Sequence, residues 1–151
     1  MIRPTKKMLF AIEAVLDIAY HAGGEPVQSR EITRRQGIPR RYLEQTLQQL
    51  VRAGILVGVR GPRGGYRLAR ERRRISVGEI VTVVRAMETT EDPFQDVPAS
   101  DLGKNVIRPM WGELQDEIMQ RLEAITIDDL CMRAYRDGVH SEAQQKLDFI
   151  I

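Results

Sequence analysis

Between Gln28 and Ala69 the sequence sets two short amphipathic helices, a tight Gly-Ile-Pro turn and a glycine-rich hairpin in immediate succession, and few folds accommodate that order. The first helix is expected to open at Gln28 or Ser29 and close at Gly37, with Ile32 inward and Arg30, Arg34 and Arg35 outward. After Ile38-Pro39, where Pro suits the first position of a helix, a second helix runs to Gly54. Leu43, Thr46, Leu47, Leu50 and Val51 share one face of it, while Arg40, Arg41, Glu44, Gln45, Gln48, Gln49 and Arg52 fall elsewhere. Ile55 to Arg60 then has the character of a strand, Gly61-Pro62-Arg63-Gly64-Gly65 of a turn, and Tyr66 to Ala69 of a returning strand with Tyr66 and Leu68 on one face. An arginine stands at the tip.

Two helices across a tight turn, followed by an Arg-tipped hairpin, are the order of elements in a winged helix-turn-helix. In that arrangement one helix lies in the major groove with long donors and acceptors outward, its back packed on the preceding helices. Arg40, Arg41, Tyr42, Glu44, Gln45 and Gln48 are the candidate DNA-contacting residues of that helix. Arg can grip guanine O6 and N7, Gln can pair with adenine, and Glu can accept from cytosine N4. Arg63, raised on the glycine turn, is placed to enter a narrow, electronegative minor groove, with Arg60, Arg72 and Arg73 beside it as further contacts.

Charge agrees with this assignment. Residues 1–75 hold 16 Lys and Arg against 6 Asp and Glu, a net +10, whereas residues 76–151 hold 7 against 15, a net −8, which together give the whole-chain +2. A basic half beside an acidic one points to nucleic acid or an anionic surface as partner of the first. An unevenly charged solvated surface produces the same totals, so the motifs decide.

The flanks complete a mostly α fold: a winged helix-turn-helix head with a two-stranded wing, plus a long dimerisation helix. Met8, Ile12, Val15, Leu16 and Ala19 form a helical stripe ended by Gly23-Gly24, with His21 a structural residue in the last turn. Ser76-Val77-Gly78-Glu79 has the form of a capping box before Ile80, Val81, Val83, Val84 and Met87. Residues 88–104 read as a loop. Met110, Leu114, Ile118 and Leu122 then recur every four residues, with Trp111 alongside, on a helix that Pro109 kinks or begins. This stripe is the expected dimer contact; a helix stripe does not say what it faces, and packing onto the head is the alternative. Thr126-Ile127-Asp128-Asp129 resembles another capped start, leading through Cys131 and Tyr135. The expected division is a DNA-binding head at 1–87, a loop at 88–104, dimerisation helices at 105–136 and a tail at 137–151 whose last residues, Phe149-Ile150-Ile151, are markedly apolar.

Other classes find little material. At 42% apolar and 29% charged residues the chain can form a core and is too apolar for a disordered one. No run of about 18 apolar residues and no secretory leader is evident, so a cytoplasmic protein without a membrane partner is expected. One cysteine, Cys131, excludes an internal disulfide framework; its apolar neighbours favour an inert buried thiol over a redox sensor. Phosphate-loop and dinucleotide fingerprints are absent, and His21 and His140 alone cannot supply a hydrolytic triad or a zinc site. Neither an enzyme nor a resident cofactor or metal is expected.

Ile38-Pro-Arg-Arg-Tyr-Leu-Glu-Gln-Thr-Leu47, Leu50-Val-Arg-Ala-Gly-Ile-Leu56 and above all Val59-Arg-Gly-Pro-Arg-Gly-Gly-Tyr-Arg-Leu-Ala69 resemble the Rrf2 family of bacterial winged-helix regulators. The likeness runs from about Thr5 to the end of the sixth helix. It implies a homodimer on an inverted repeat of double-stranded DNA, usually as a repressor. It also implies that Arg41, Glu44 and Gln45 occupy base-reading positions, and that Arg60 and Arg63 occupy wing positions near DNA. Cluster-binding members carry three cysteines in the loop and early fifth helix, whereas Glu88 to Gly112 here contains no Cys and no His. Two other functions stay open at this point. One is a protein-interaction module built on a winged helix. The other is a regulator sensing through Cys131, a small molecule between head and arm, or a protein effector.

Overall fold

Helix α1 (Lys6–His21) is the element on which the others assemble. It packs against α2 (Ser29–Gln36), α3 (Arg40–Arg52), the second wing strand, α4 (Val77–Met87) and α6 (Ile127–Arg136). The computed structural model describes residues 4–88, 98 and 100–143. Because α1 is contacted on several sides, its buried set is Ala11, Ala14, Val15 and Ile18 together with the charged Asp17, with Met8, Ile12, Leu16 and Ala19 only half-buried around it. Of the expected apolar stripe Val15 is fully buried, while Met8, Ile12, Leu16 and Ala19 form the rim of the buried face, which Ala11, Ala14 and Ile18 complete. Thr5 caps the helix by accepting from the Met8 N–H at 3.2 Å, which starts it two residues before Met8.

The helix-turn-helix follows the sequence closely, except that Arg35, expected outward, turns in to pair with Asp17 of α1 at 2.7 Å and is 10% exposed, because that buried carboxylate needs a counter-charge. Gln28 precedes α2, its N–H donated to Glu31 Oε2 at 2.8 Å, and Gly37 ends α2 in the left-handed region at φ 68°. Pro39 is the residue just outside α3 rather than its first, and Leu43, Thr46, Leu47 and Leu50 are the buried face. Strands β1 (Leu56–Val59) and β2 (Gly65–Leu68) pair antiparallel with Leu56 opposite Leu68 and Val59 opposite Gly65. Val27 adds a third strand position, exchanging two 2.8 Å backbone hydrogen bonds with Tyr66. A Cβ on Gly65 would stand 2.4 Å from the Val27 carbonyl oxygen, so only glycine allows the wing to dock there.

Ser76 caps α4 through the Glu79 N–H at 3.1 Å, but the other half of the expected capping box does not form. Glu79 instead takes two hydrogen bonds from Arg70, at 2.8 and 3.3 Å, because a charge-assisted fork outcompetes a single neutral N–H. The helical arm also begins earlier than expected. Ser100 accepts from the Gly103 N–H at 3.1 Å, and residues 101 and 102 are already helical, so residues 101–104 are not loop. A π-helical stretch, Gly103–Ile107, leads into α5 (Arg108–Ala124). This wider turn lies directly before Pro109, whose ring and missing N–H disturb a regular α-helix at that point.

Helix α5 packs along α4, and none of its residues is fully buried. Gly78 permits the approach: a Cβ there would lie 2.5 Å from Glu123 Cγ and 2.8 Å from its backbone nitrogen. Helix α6 returns to the head, with Ile127 and Cys131 in the core beside α1. Its expected cap is present, Thr126 and Asp129 exchanging hydrogen bonds of 2.9 and 3.0 Å. A bridge between Ser76 and Thr126 ties the starts of α4 and α6 together. After α6 the chain turns at Gly138 and runs back over α1. Residues 89–97 and 99 of the expected loop, and the apolar end Phe149-Ile150-Ile151, lie outside the described residues.

Candidate nucleic-acid interface

Helix α3 divides cleanly by polarity, since four of its side chains close the core and the opposite side is solvent-exposed. Arg40, Arg41, Tyr42, Glu44, Gln45 and Gln48 are all exposed. Arg40 pairs with Glu44 at 3.0 Å, yet Arg40 is 75% and Glu44 49% exposed and the basic residue is N-terminal, the less favourable order. Such a pair adds little stability and is readily exchanged for base contacts. Gln45 and Gln48 border an open groove whose far wall is Ala86 and Met87 of α4.

The wing stands beside this helix on a separate base. Arg60 and Arg63 are exposed, and neither has a carboxylate partner among the described residues. Gln28 Nε2 reaches the Pro62 carbonyl at 3.4 Å, a contact between the start of α2 and the wing tip. A Cβ on Gly64 would fall 2.2 Å from the Val59 carbonyl oxygen, so the turn that lifts Arg63 needs glycine. The arginines after the wing are held differently. Arg72 Nε bonds Asp128 of α6 at 2.7 Å and Arg73 Nε bonds Glu71 at 2.7 Å, so each already has an acid beside it. Both remain open to further contacts, with side-chain exposures of 44% and 69%.

Two lysines belong to this face and escaped the sequence analysis. Lys6 and Lys7 open α1 beside Pro39 and Tyr42, and Lys7 Nζ lies 5.8 Å from the Tyr42 ring centroid. Cations in the first turn oppose the helix dipole, and no acid shares that turn. That unfavourable placement was the available signal, because folding stability does not explain it. The N-terminus of α1 and the start of α3 therefore present positive charge side by side.

The proposed dimer stripe splits in two. Ile118 and Leu122 turn inward to an apolar cavity of about 280 Å³ that Met8, Leu9 and Ile12 of α1 and Val81 of α4 also line. Met110 and Leu114 are 44% and 40% exposed, and Trp111 is half-buried. Leu9, Val106 and Ile107 add to the exposed apolar surface of the same region.

A thiolate-held iron-sulphur cluster does not fit the donor set. Cys131 is the chain's one cysteine and lies in the head core. Burial pushes its thiol pKa up, against the opposing pull of Arg72, so the protonated form, not the ligating thiolate, is favoured. Among the described residues no three His, Cys, Asp or Glu side chains gather as a metal site. No described helix is long and apolar enough to cross a membrane.

Residues 4–133 match the model of the Rrf2 family, described as an iron-dependent transcriptional regulator. The HTH-type transcriptional regulator IscR of Vibrio cholerae serotype O1 is 36% identical over 133 residues, covering 86% of this chain and 75% of its own. IscR of Pectobacterium atrosepticum is 34% identical over 129 residues, covering 85% and 78%. Among solved structures, T. potens IscR superposes with TM-score 0.73 at 31% identity over 93% of each chain. The global cysteine regulator CymR of B. subtilis gives TM-score 0.70 at 26% identity, over 88% of this chain and 98% of its own. These matches join the exposed α3 face and arginine-tipped wing described above, and the chain belongs to the Rrf2 family of winged-helix, DNA-binding transcriptional regulators.

Proposed function

We propose that the protein represses transcription in the bacterial cytoplasm by binding a pseudo-palindromic promoter site as a homodimer. The observation that carries this is α3: a buried apolar side, and an opposite side that exposes Arg41, Glu44, Gln45 and Gln48 next to an exposed Arg63 on the wing that has no carboxylate partner among the described residues. In this arrangement α3 enters a major groove, where Arg41, Glu44 and Gln45 meet base edges. Arg63 enters the flanking minor groove, and Lys6, Lys7, Arg60, Arg72 and Arg73 neutralise phosphates. Repression follows from occupying the promoter. The acids Asp128 and Glu71 release Arg72 and Arg73 to phosphate at little cost, since all four side chains are a third or more exposed.

Dimerisation is assigned to the exposed half of the α5 stripe, Met110, Trp111 and Leu114, with Ile118 and Leu122 supporting it from within. Leu114→Glu should shift the sedimentation coefficient to that of a monomer.

The function is tested by selecting bound sites from random duplex DNA and then titrating salt against the winning site. Neutralisation of about six to ten phosphates by a dimer gives a slope of log K against log salt of about −5 to −9. A slope flatter than about −2, or no enriched sequence, would remove DNA reading and favour a protein-interaction role for the same surface.

A further inference from the structure

Helix α2 is weakly anchored by its own sequence. It has eight residues, too few for a stable isolated helix, and Ile32 is its one fully buried side chain. What holds it is polar. Arg35 forks onto Asp17 of α1, Nε to Oδ2 at 2.9 Å and Nη2 to Oδ1 at 2.7 Å, and Gln36 adds a bond to Oδ2 at 2.8 Å. The segment after α6 closes the network from the other side. Glu142 accepts from Arg35 Nη1 at 2.7 Å and Arg34 Nη2 at 3.0 Å. The same segment grips α1: Tyr20 Oη donates to the Val139 carbonyl, Ser141 Oγ donates to the Tyr20 carbonyl at 2.8 Å, and the Glu142 N–H donates to His21 Nδ1 at 3.2 Å.

We propose that Val139–Glu142 is a clasp that holds α2 against α1, that Glu142 is thereby a positioning residue for DNA binding, and that the clasp loosens in acid through His21. The positioning role rests on the DNA-binding function proposed above; the clasp itself does not. Helix α2 fixes α3 through the three residues Gly37-Ile38-Pro39, so slack in α2 is passed to the reading helix.

The acid response follows from one lone pair. His21 Nδ1 accepts a hydrogen bond only while it carries no proton, and protonation sets a donor against the Glu142 N–H. His21 is faced by Asp17 from α1, Arg35 from α2, and Glu142 and His140 from the clasp, with the Tyr20 ring edge-on at 5.4 Å. Burial holds its pKa below the ordinary 6.5, against the raising effect of Asp17. Burial also disfavours the Glu142 carboxylate, but Arg35 and Arg34 outweigh it and hold that carboxyl below its ordinary 4.5. Glu142 is therefore held charged more firmly than a free carboxyl, while burial makes His21 harder to protonate than a free imidazole.

Hydrogen exchange of α2 peptides, corrected for intrinsic rates, at pH 7.5 and about 5 tests this in the full chain, with α4 peptides as an internal control. In the unmodified protein α2 protection should fall about tenfold in acid relative to α4. Glu142→Gln should lower it at both pH values. His21→Gln, whose side-chain oxygen can take the same N–H without titrating, should hold it at both, and His140→Gln should retain the acid step. DNA affinity measured by mobility shift should fall in parallel, about three- to tenfold, as the competent α2 position becomes less populated. Unchanged α2 exchange in Glu142→Gln, or an acid step that survives in His21→Gln, overturns the clasp. Altered exchange with unaltered affinity overturns the positioning role. Normal exchange behaviour with no DNA binding by any form leaves the clasp standing and sinks the proposed function instead.

Discussion

Asp17→Ala should destabilise the protein more than any other single polar truncation on α1. The Asp17 side chain is 0% exposed and that of Arg35 10%, and three hydrogen bonds of 2.7 to 2.9 Å converge on the carboxylate. Removing one partner of a buried pair costs about 3 to 5 kcal/mol, largely because the other charge is stranded. Arg35 would keep Glu142 at 2.7 Å, which places the loss near the lower end, about 3 kcal/mol. For a chain of this size that corresponds to a fall in Tm of about 6 to 12 °C. Differential scanning calorimetry at fixed protein concentration and pH 7.5 measures it. Arg35→Met in the same series completes a double-mutant cycle, and the double variant should be less destabilised than the two singles added together, by about 2 kcal/mol. A fall under about 2 °C for Asp17→Ala, or strict additivity, would refute the reasoning that this pair is a buried, mutually dependent unit.

Gly78→Ala should cost about 1 to 3 kcal/mol by forcing α5 off α4, and a Tm indistinguishable from the parent would show that the Glu123 backbone gives way freely. Arg63→Ala should weaken binding chiefly on sites with A·T-rich minor grooves under the wing; equal weakening on every sequence would make Arg63 a phosphate contact. Glu44→Ala and Gln45→Ala should each relax preference at particular operator positions by about 1 to 3 kcal/mol, and an unchanged base profile for both would remove them from the reading set. Protein purified without oxygen should be colourless and still bind its operator; near-stoichiometric iron and sulphide, lost together with DNA binding in Cys131→Ala, would contradict the donor-set argument. Because His21 is depressed in the fold, the unfolded chain binds that proton first, so stability should fall as pH drops below about 6.5. His21→Gln should flatten that part of the pH–stability curve.

Periodicity and turn chemistry alone determined the helix-turn-helix and the wing. Ile32, Leu43, Leu47 and Leu50 recur at helical spacing, Gly37 closes α2 at positive φ, and Gly64-Gly65 make a turn that few other residues allow. The helix stop and the Gly64 turn depend on near neighbours in the chain, which is why they are legible without a structure, whereas the need for glycine at 65 comes from Val27, far away in the chain. The exposed face of α3 was legible for the same reason, since a helix with one apolar side has one polar side. Long-range partners were not. Asp17 looks like any surface acid on α1 until Arg35 reaches it from 18 positions away, with Glu142, 107 positions from Arg35, on the other side of that guanidinium. Arg72 counts as a free wing cation until Asp128 is found beside it, and Gly78 is only a weak residue in a helix start until Glu123 arrives. The α5 stripe shows the limit most plainly: four apolar residues at i+4 spacing are one pattern in the sequence, yet α1 and α4 take Ile118 and Leu122 and leave Met110 and Leu114 to solvent. Spacing along a helix says which side chains share a face, whereas what covers that face depends on contacts between residues far apart in the chain, and only the tertiary structure decides those.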